Sequence, residues 1–206
     1  MKTHLIITSA NIDENYEVRK GEYKDALNSY KPYLDMFDSV NVLETANGNT
    51  DYIEDYEVTY SVEPNVFVNK GMNEINHVHS FLSTQAYDSE DMIVKLTGRY
   101  PLTSDVLIKK VKEGKYDFVG KSNDDIYPQR KLDYHFFYFG MKVRRFINMF
   151  NDLQLNGNDK NCNLTIGIEK ILYDFNVNKP HNFIFPTSDS MGVYAKIYYG
   201  GIQQEC

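Results

Sequence analysis

Residues 93–102 read IVKLTGRYPL, an apolar segment that ends in two cations, a hydroxyl group and a glycine before Pro101. The β-branched and aliphatic residues at its start predict a buried strand over 91–96, and Pro101 stops the extended segment. In sheets built from alternating strands and helices, ligands bind beyond the carboxyl ends of the strands. The stretch therefore predicts a central strand and a set of candidate ligand-binding residues, which are Lys95, Thr97, Gly98 and Arg99.

Outward from this strand, the first half of the chain alternates strand and helix patterns. Short β-branched runs predict strands at 5–10, 40–45, 57–62 and 91–96. Apolar residues at helical spacing predict helices at 23–37, 69–82 and 104–112. Pro32 is an interruption near the last turn of the first helix, and Ser104 is the expected N-cap of the third. This alternation favours a mostly parallel sheet covered on both faces.

The second half adds strands with fewer helices between them. Its predicted strands are 116–120, 134–140, 183–186 and 193–199, and its predicted helices are 143–153 and 164–175. We therefore predict an α/β fold, with a mixed, mostly parallel central sheet flanked by helices. Residues 1–206 are expected to form a single domain.

The helix predicted at 69–82 has an apolar face and a polar stripe. The predicted buried face consists of Met72, Ile75, Val78, His79 and Leu82. On that face we expect His79 to be a hydrogen-bonded core histidine. The polar stripe consists of Lys70, Glu74 and His77, in which Lys70 and Glu74 have the spacing of a surface ion pair.

Composition limits the functions open to the chain. A length of 206 residues with 42% hydrophobic residues fits one compact domain with a sizeable core. The net charge of -7 argues against a general nucleic-acid-binding protein, which carries a basic surface. Cys162 and Cys206 form neither a disulfide framework nor a zinc-ligand spacing, and no segment is long and apolar enough for a signal peptide or a membrane span. We expect a soluble protein of the cytoplasm.

The ends of the other predicted strands add polar residues to the same edge of the sheet. They are Thr8, Ser9 and Ala10 after the first strand, Glu44 after the second, and Asn69, Lys70 and Gly71 after the third. Lysine and arginine neutralise phosphate oxygens, glycine lets the backbone approach a ligand, and the N-terminus of a helix attracts anions. No glycine-rich phosphate-binding loop of the usual types follows any strand. The edge therefore predicts a site of another design for a phosphorylated ligand.

The order of these motifs resembles a known family of enzymes. TSAN at 8–11, NKGMNE at 69–74, IVKLTGRYPL at 93–102, HFFYFG at 135–140 and IEK at 168–170 resemble nucleotide-sugar glycosyltransferases of the A-type (GT-A) fold. The segment KLTGRY is similar to a motif of capsule and surface-glycan transferases and of the domain with which chlorella viruses glycosylate their capsid protein. The resemblance implies transfer of a hexose from a UDP- or GDP-sugar to a hydroxyl group of a glycan or glycoprotein.

The resemblance also implies roles for individual residues. It assigns the nucleotide-sugar donor to residues 1–100 and the acceptor side to residues 101–206. The implied donor-binding residues are Thr8, Ser9, Ala10, Asn11, Glu44, Asn69, Lys70, Gly71, Glu74, Thr97, Gly98 and Tyr100. The implied catalytic residues are Lys95, Arg99 and Glu169, and the carboxylates that can serve as a general base are Glu169, Asp124 and Asp125. His135 lies on an aromatic strand and faces either the acceptor or the core.

The chain departs from the family at the expected metal site. Such enzymes usually end the fourth core strand with an Asp-x-Asp pair that holds Mn²⁺ or Mg²⁺, where this chain has Lys95-Leu96-Thr97. One hypothesis is that Lys95 and Arg99 supply the positive charge directly. The other places a divalent metal on residues further along the chain, which are Asp124, Asp125 and His181. A divalent metal is compatible with the sequence but is not required by it.

Structural interpretations compete with the functional ones. Lys95 and Arg99 can end a strand with their charged groups in solvent, and Glu169 can be a solvated helix charge. The acidic stretches at 51–57 and 88–91 are most simply solvated loops. Two other functions also stay open. A sugar nucleotidyltransferase needs a glycine-rich basic loop after the first strand, and a non-catalytic nucleotide- or glycan-binding module needs only the tyrosine-rich surface.

Overall fold

A computed structural model describes most of the chain. It covers residues 1–10, 16–45, 50–53, 55–61, 63, 65, 67, 69–121, 137–156, 168–177, 179–185 and 189–194. At 154–156 and 169 only the backbone is described.

Within this part of the chain, the strands form one seven-stranded sheet. They are β1 (Thr3–Ser9), β2 (Ser39–Glu44), β3 (Val58–Tyr60), β4 (Met92–Thr97), β5 (Phe118–Lys121), β6 (Tyr138–Lys142) and β7 (Asn182–Phe185). Their order across the sheet is β3-β2-β1-β4-β6-β5-β7. Only the pairings of β6 with β4 and with β5 are antiparallel. All described strands except β6 therefore point the same way, and their ends define a carboxyl edge and an opposite amino edge of the sheet.

Helices cover both faces of this sheet. The α-helices are α1 (Tyr16–Tyr30), α2 (Lys70–Thr84), α3 (Val106–Lys112), α4 (Val143–Asn156) and α5 (Ile168–Asn176), and a 3-10 helix spans Lys31–Met36. Pro32 lies at the start of the 3-10 helix, which confirms the predicted interruption, because proline cannot donate the next α-helical hydrogen bond. The N-cap position of α3 is occupied by Asp105, without a side-chain cap bond, so the prediction of Ser104 as the cap is wrong.

Alternation along the strands divides the core into two layers. Leu5, Ile7 and Val94 point toward α1 and α3, whereas Ile6 and Ile93 point toward α2, α4 and α5. Residues of both faces of β1 and β4 are buried, as expected for central strands of a sheet covered on both sides. The predicted α/β fold is thus confirmed.

The histidines of α2 are placed differently from the prediction. His79 is half-buried and stacks on Phe150 with ring centroids 4.0 Å apart, so its prediction as a core residue is wrong. His77, predicted on the polar stripe, is buried; its Nδ1 lies 2.5 Å from Ser61 Oγ and its Nε2 lies 2.9 Å from Asn65 Oδ1. The residues before α2 cover this side of the helix, and burial lowers the pKa of His77.

The two acidic stretches are only partly solvated. Tyr52 and Ile53 are buried against α1, and Asp91 is buried at the amino edge. Asp91 accepts hydrogen bonds from the backbone N–H groups of Lys2 and Asp88. The prediction of solvated loops is therefore wrong for Tyr52, Ile53 and Asp91. The tail strand predicted at 193–199 is described only at its start, where Val193 bridges to Leu102. No helix in the described ranges is long and apolar enough to cross a membrane.

Candidate functional site

The carboxyl edge contains a topological switch point between β1 and β4. From β1 the chain continues to β2 on one side, whereas β4 pairs with the other side of β1. Connections that diverge in this way leave a crevice beyond the strand ends, and such crevices bind ligands in open α/β sheets. The register pairs Thr8 with Thr97 and Ser9 with Glu44. Four predicted donor-binding residues therefore meet at the switch point.

On the face covered by α2, four side chains form a hydrogen-bonded group, here called the lysine–glutamate cluster: Thr8, Glu74, Lys95 and Thr97. Lys95 Nζ lies 2.6 Å from Glu74 Oε1 and donates to Thr97 Oγ1 at 2.8 Å. The hydroxyl groups of Thr97 and Thr8 also donate to Glu74 Oε1, the former at 3.2 Å. Within the described residues Glu74 Oε2 has no hydrogen-bond partner, and Glu74 is 21% exposed. A ligand hydroxyl group can therefore donate to Oε2.

The positive charge of Lys95 is balanced inside the protein. Its side chain is 1% exposed, and a buried ammonium group is costly unless a carboxylate pairs with it. Glu74, near the start of α2, supplies that carboxylate. The predicted surface pair between Glu74 and Lys70 is therefore not formed, and Lys70 is exposed without an ion pair among the described residues. Among the predicted cations of this edge, Lys70 and Arg99 are the ones that reach solvent.

A tight turn after β4 carries Arg99 out of the sheet. The N–H group of Gly98 donates to Thr8 O at 2.8 Å, and that of Tyr100 donates to Thr97 O at 3.1 Å. A Cβ atom on Gly98 would lie 3.1 Å from the carbonyl oxygen of Thr8, so glycine allows the turn to pack directly against β1.

Beyond this turn, the side chain of Arg99 is 32% exposed. Its Nη1 lies 3.7 Å from Glu22 Oε2. That distance is too long for a strong hydrogen bond, so the guanidinium donors remain open to an anion. The neighbouring Tyr100 is buried, and burial raises its pKa to about 12, so the phenol is neutral at physiological pH.

On the face covered by α1, buried polar groups form a second group, here called the tyrosine cluster: Ser9, Ala10, Tyr23, Glu44 and Tyr52. Tyr52 Oη lies 2.7 Å from Ser9 Oγ and donates to Glu44 Oε2 at 3.2 Å. The N–H group of Ala10 donates to Tyr23 Oη at 2.8 Å. Burial raises the pKa of Tyr52 well above its usual value, so it remains a donor to the carboxylate.

Sequence reasoning missed Tyr23 and Tyr52 as members of this edge. The available signal was the pair Tyr52-Ile53, which is apolar within an acidic stretch, but its partners are distant in sequence. A further missed residue is Lys121 at the carboxyl end of β5. It is buried, and its Nζ donates to the carbonyl oxygen of Asp189 at 2.8 Å.

At the N-terminus of α2, Asn69 and Gly71, two predicted donor-binding residues, have structural roles. Asn69 is the N-cap, and its Oδ1 accepts hydrogen bonds from the N–H groups of Gly71 and Met72. A Cβ atom on Gly71 would lie 2.6 Å from Ile168 Cγ2, so glycine lets α5 pack against this turn. Ile168, which precedes Glu169 in the chain, therefore contacts the first turn of α2.

Several predicted site residues lie elsewhere or outside the described ranges. Asn11, Asp124, Asp125 and His135 fall outside the described residues. His181 is exposed at the start of β7, which places it at the amino edge, away from the switch point.

The described residues of the switch point fit a divalent metal poorly. The carboxylate of the lysine–glutamate cluster already has the Lys95 ammonium group as its cation. No group of three or more potential metal-ligating His, Cys, Asp or Glu residues occurs in the described part of the chain. A metal on Asp124 and Asp125 stays a prediction.

Solved structures share this architecture at low sequence identity. The galactosyltransferase LgtC, determined in complex with donor and acceptor sugar analogues, is 11% identical with a TM-score of 0.54, over 88% of this chain and 72% of LgtC. The fold is that of the nucleotide-diphospho-sugar transferases. A proposed glucose-1-phosphate thymidylyltransferase from Bacillus anthracis, in complex with a sucrose, is 10% identical with a TM-score of 0.58, over 89% of this chain and 86% of the other.

A third similar structure is that of an enzyme with a different name. The 4-diphosphocytidyl-2C-methyl-D-erythritol synthase from Anaerococcus prevotii DSM 20548 is 14% identical with a TM-score of 0.53, over 89% of this chain and 88% of the other. No protein-family model matches the sequence, and no curated protein sequence matches it either. At identities this low, the structural similarity establishes the shared fold alone. One fold can host several reactions.

Proposed function

We propose that the protein is a glycosyltransferase that moves a sugar from a nucleotide diphosphate donor, a UDP- or GDP-sugar, to a hydroxyl group of a glycan or glycoprotein. The observation that supports this most directly is the turn at residues 97–100. It holds the partly exposed guanidinium group of Arg99 at the switch point, beside the hydroxyl and carboxylate groups of two neighbouring strands. Ligands of open α/β sheets bind at this position.

In this proposal Arg99 stabilises the leaving group. The bond between the sugar C1 and the diphosphate oxygen breaks, and its electron pair leaves with the nucleoside diphosphate. The acceptor oxygen forms the new bond to C1, and its proton passes to a carboxylate, for which Glu169, Asp124 and Asp125 are the candidates. A guanidinium group forms paired hydrogen bonds with phosphate oxygens, and Lys70 adds an exposed charge beside the site.

The lysine–glutamate cluster has a positioning role in the same proposal. Lys95 and the two threonine hydroxyl groups hold Glu74 through its Oε1. The carboxylate then presents Oε2 to a hydroxyl group of the donor ribose or sugar. This differs from the sequence-based hypothesis, in which Lys95 faces the diphosphate directly, because the carboxylate of Glu74 already compensates its charge.

A sugar nucleotidyltransferase is the second candidate, since one of the similar structures is named as a glucose-1-phosphate thymidylyltransferase. It would need basic residues free to bind a triphosphate after β1. The first basic residues that follow β1 are Arg19 and Lys20 of α1, and both have other partners. Arg19 Nη1 donates to Ala10 O at 3.2 Å, and Lys20 pairs with Asp51. These contacts favour the glycosyltransferase.

The test combines a donor panel with the Arg99→Ala variant. Wild-type protein is incubated with UDP- and GDP-sugars and glycan acceptors, with and without Mn²⁺, and donor binding is followed by thermal stabilisation. Arg99→Ala should lower kcat/KM for transfer by roughly 100-fold, the usual effect of removing one donor to a charged transition state. Its unfolding midpoint should stay near that of the wild type, because Arg99 is a partly exposed residue.

Lys109→Ala is the matched control, because Lys109 is an exposed cation on α3. It should transfer sugar at the wild-type rate. Folded Arg99→Ala protein with normal transfer would refute the assignment of Arg99. Pyrophosphate release from a nucleoside triphosphate and a sugar phosphate would instead identify a nucleotidyltransferase. Donor binding without turnover, with acceptor supplied, would identify a binding module.

A further inference from the structure

A cavity of about 200 Å³ lies at the amino edge of the sheet, the edge opposite the switch point. It is lined by Asp117, Arg144, Arg145, Asn148, Phe175 and Lys179. Asp117 directly precedes β5 and α4 begins directly after β6, so this cavity lies where β5 begins and β6 ends. β4 separates the two edges by roughly 17 Å, at about 3.3 Å per residue. The cavity is therefore separate from the candidate donor site.

A buried guanidinium group in this cavity lacks one hydrogen-bond acceptor. The side chain of Arg145 is 11% exposed, and its Nε donates to Asn176 Oδ1 at 2.8 Å. Its Nη1 lies 3.6 Å from Asp117 Oδ2, whereas its buried Nη2 has no hydrogen-bond partner among the residues that the structure describes. A buried donor without an acceptor is costly, and burial also lowers the pKa of Arg145. Arg145 lines the cavity, so an anion there would place negative charge beside this guanidinium group.

The charges around the cavity favour an anion. Asp117 lies 2.8 Å from Lys142 Nζ and 3.3 Å from Arg144 Nη2, so its carboxylate is already surrounded by cations. Lys142 and Arg144 also pair with Glu90. Among the described residues, the cavity lining and its ion-pair partners comprise four cationic side chains and two carboxylates, an excess of two positive charges. This excess contrasts with the net charge of -7 of the whole chain.

A second cavity provides an internal comparison. It measures about 230 Å³ and lies between α1 and residues 51–56. Its charged lining residues are Lys24, Lys31, Asp51 and Asp55, two of each sign. Lys31 pairs with Asp55, and Asp51 pairs with Lys20. With Lys20 included as an ion-pair partner, the described residues of this cavity carry an excess of one positive charge, half that of the cavity at the amino edge.

We propose that the cavity at the amino edge binds the phosphate group of a small phosphorylated molecule. Arg144 and Lys179 are exposed cations at its opening, and Arg145 forms its buried wall. Planar guanidinium groups match the geometry of phosphate oxygens. A volume of about 200 Å³ exceeds that of several water molecules, each of about 30 Å³ in the liquid, and so admits a phosphate with a small organic group.

Binding is tested by calorimetric titration of the full chain with inorganic phosphate and, separately, with a hexose 1-phosphate. Ionic strength is held constant with sodium chloride. We expect saturable binding to one site. The Arg144→Gln/Lys179→Gln double variant should weaken it at least tenfold, because two cations at the opening are lost. Tighter binding of the hexose phosphate would identify a phosphomonoester as the ligand, and equal affinities would identify inorganic phosphate.

Three further variants distinguish phosphate binding in this cavity from non-specific attraction to positive charge and from binding at the candidate donor site. Lys109→Gln/Lys112→Gln removes the same charge from α3 and should leave the affinity unchanged. Arg145→Lys keeps the charge but loses the planar guanidinium group, and should weaken binding. Arg99→Gln should not affect it. Wild-type affinity in the Arg144→Gln/Lys179→Gln protein, or a loss of binding caused by Arg99→Gln, would overturn the proposal. So would the absence of saturable phosphate binding.

Discussion

At the residue scale, the unusual feature of the protein is an ammonium group buried at the end of a central strand. Lys95 is enclosed between the sheet and α2, and Glu74 supplies its counter-charge. Removal of one partner of a buried ion pair costs more than the pair contributes, because the remaining charge loses its compensation. Lys95 and Glu74 should therefore behave as a unit in stability measurements.

Glu74→Gln should destabilise the protein by about 3 kcal/mol, the lower end for breaking a buried pair, because Glu74 is partly exposed. The Glu74→Gln/Lys95→Met double variant should be more stable than the sum of the two single changes predicts. Urea denaturation of the four proteins gives the coupling free energy. Asp105→Asn, which breaks the surface pair with Lys109, is the control and should cost less than about 1 kcal/mol. If the losses of stability caused by the two single changes were additive, Lys95 and Glu74 would not be energetically coupled.

At the element scale, the space around each glycine shows how closely helices pack against the sheet and against each other. A Cβ atom on Gly140 of β6 would lie 2.1 Å from Val111 Cγ2 of α3, whereas a Cβ atom on Gly21 of α1 would meet nothing within 4 Å. The first glycine is required by packing between a strand and a helix. The second occupies an exposed helix position where glycine only lowers helix stability.

Gly140→Ala should destabilise the protein by about 1–3 kcal/mol through overpacking, and Val111→Ala in the same chain should recover part of the loss. Gly21→Ala should instead stabilise the protein by about 0.5–1 kcal/mol. Thermal and urea unfolding of the wild type and the three variants measures both effects. A neutral Gly140→Ala change would show that α3 does not pack against β6 as described.

At the scale of the whole molecule, a buried carboxylate and a partly buried one at the amino edge connect distant parts of the chain. Asp91 accepts hydrogen bonds from the backbone of Lys2 and lies 3.3 Å from His4 Nε2. Asp117 pairs with Lys142 and contacts Arg144. Burial alone would raise the pKa of both carboxyl groups, but these hydrogen bonds and charges outweigh it and hold both pKa values below the ordinary one.

Both carboxylates should make the fold sensitive to acid. A depressed folded-state pKa adds stability at neutral pH that is lost as the pH falls, progressively below about pH 5. We expect the urea midpoint to drop between pH 5 and pH 3. Asp91→Asn should be less stable at pH 7 and show a shallower drop, because one of the two titrating groups is gone. Asp174→Asn, at an exposed position on α5, is the control with an unchanged profile. A wild-type slope in Asp91→Asn would exclude Asp91 as a source of the acid sensitivity.

Sequence patterns predicted the elements better than their contacts. The strand after residue 91 and the helix after residue 69 were predicted correctly, because local hydrophobic periodicity reports which element forms. His77 is buried instead of lying on a polar stripe, because Ser61 and Asn65 contact its ring, and no helical periodicity reveals these contacts.

In the candidate site, too, local patterns were predicted better than contacts between elements. Strand-end residues were predicted to gather at one edge, and the parallel register brings Thr8 together with Thr97. The pairing of Lys95 with Glu74 and the entry of Tyr52 into the site were not predicted, since both contacts join separate elements on the faces of the sheet.

The order and type of the elements, and the gathering of hydroxyl groups and cations at the strand ends, follow from the sequence, because they depend on local periodicity and on the direction of parallel strands. Which charges are balanced internally and which reach solvent depends on how the elements pack. Lys95 is compensated by Glu74, whereas Arg99 stays partly exposed and Arg145 retains an unpaired donor. The physical reason is that burial and counter-charge come from neighbouring elements in space, and these cannot be read from spacing along the chain.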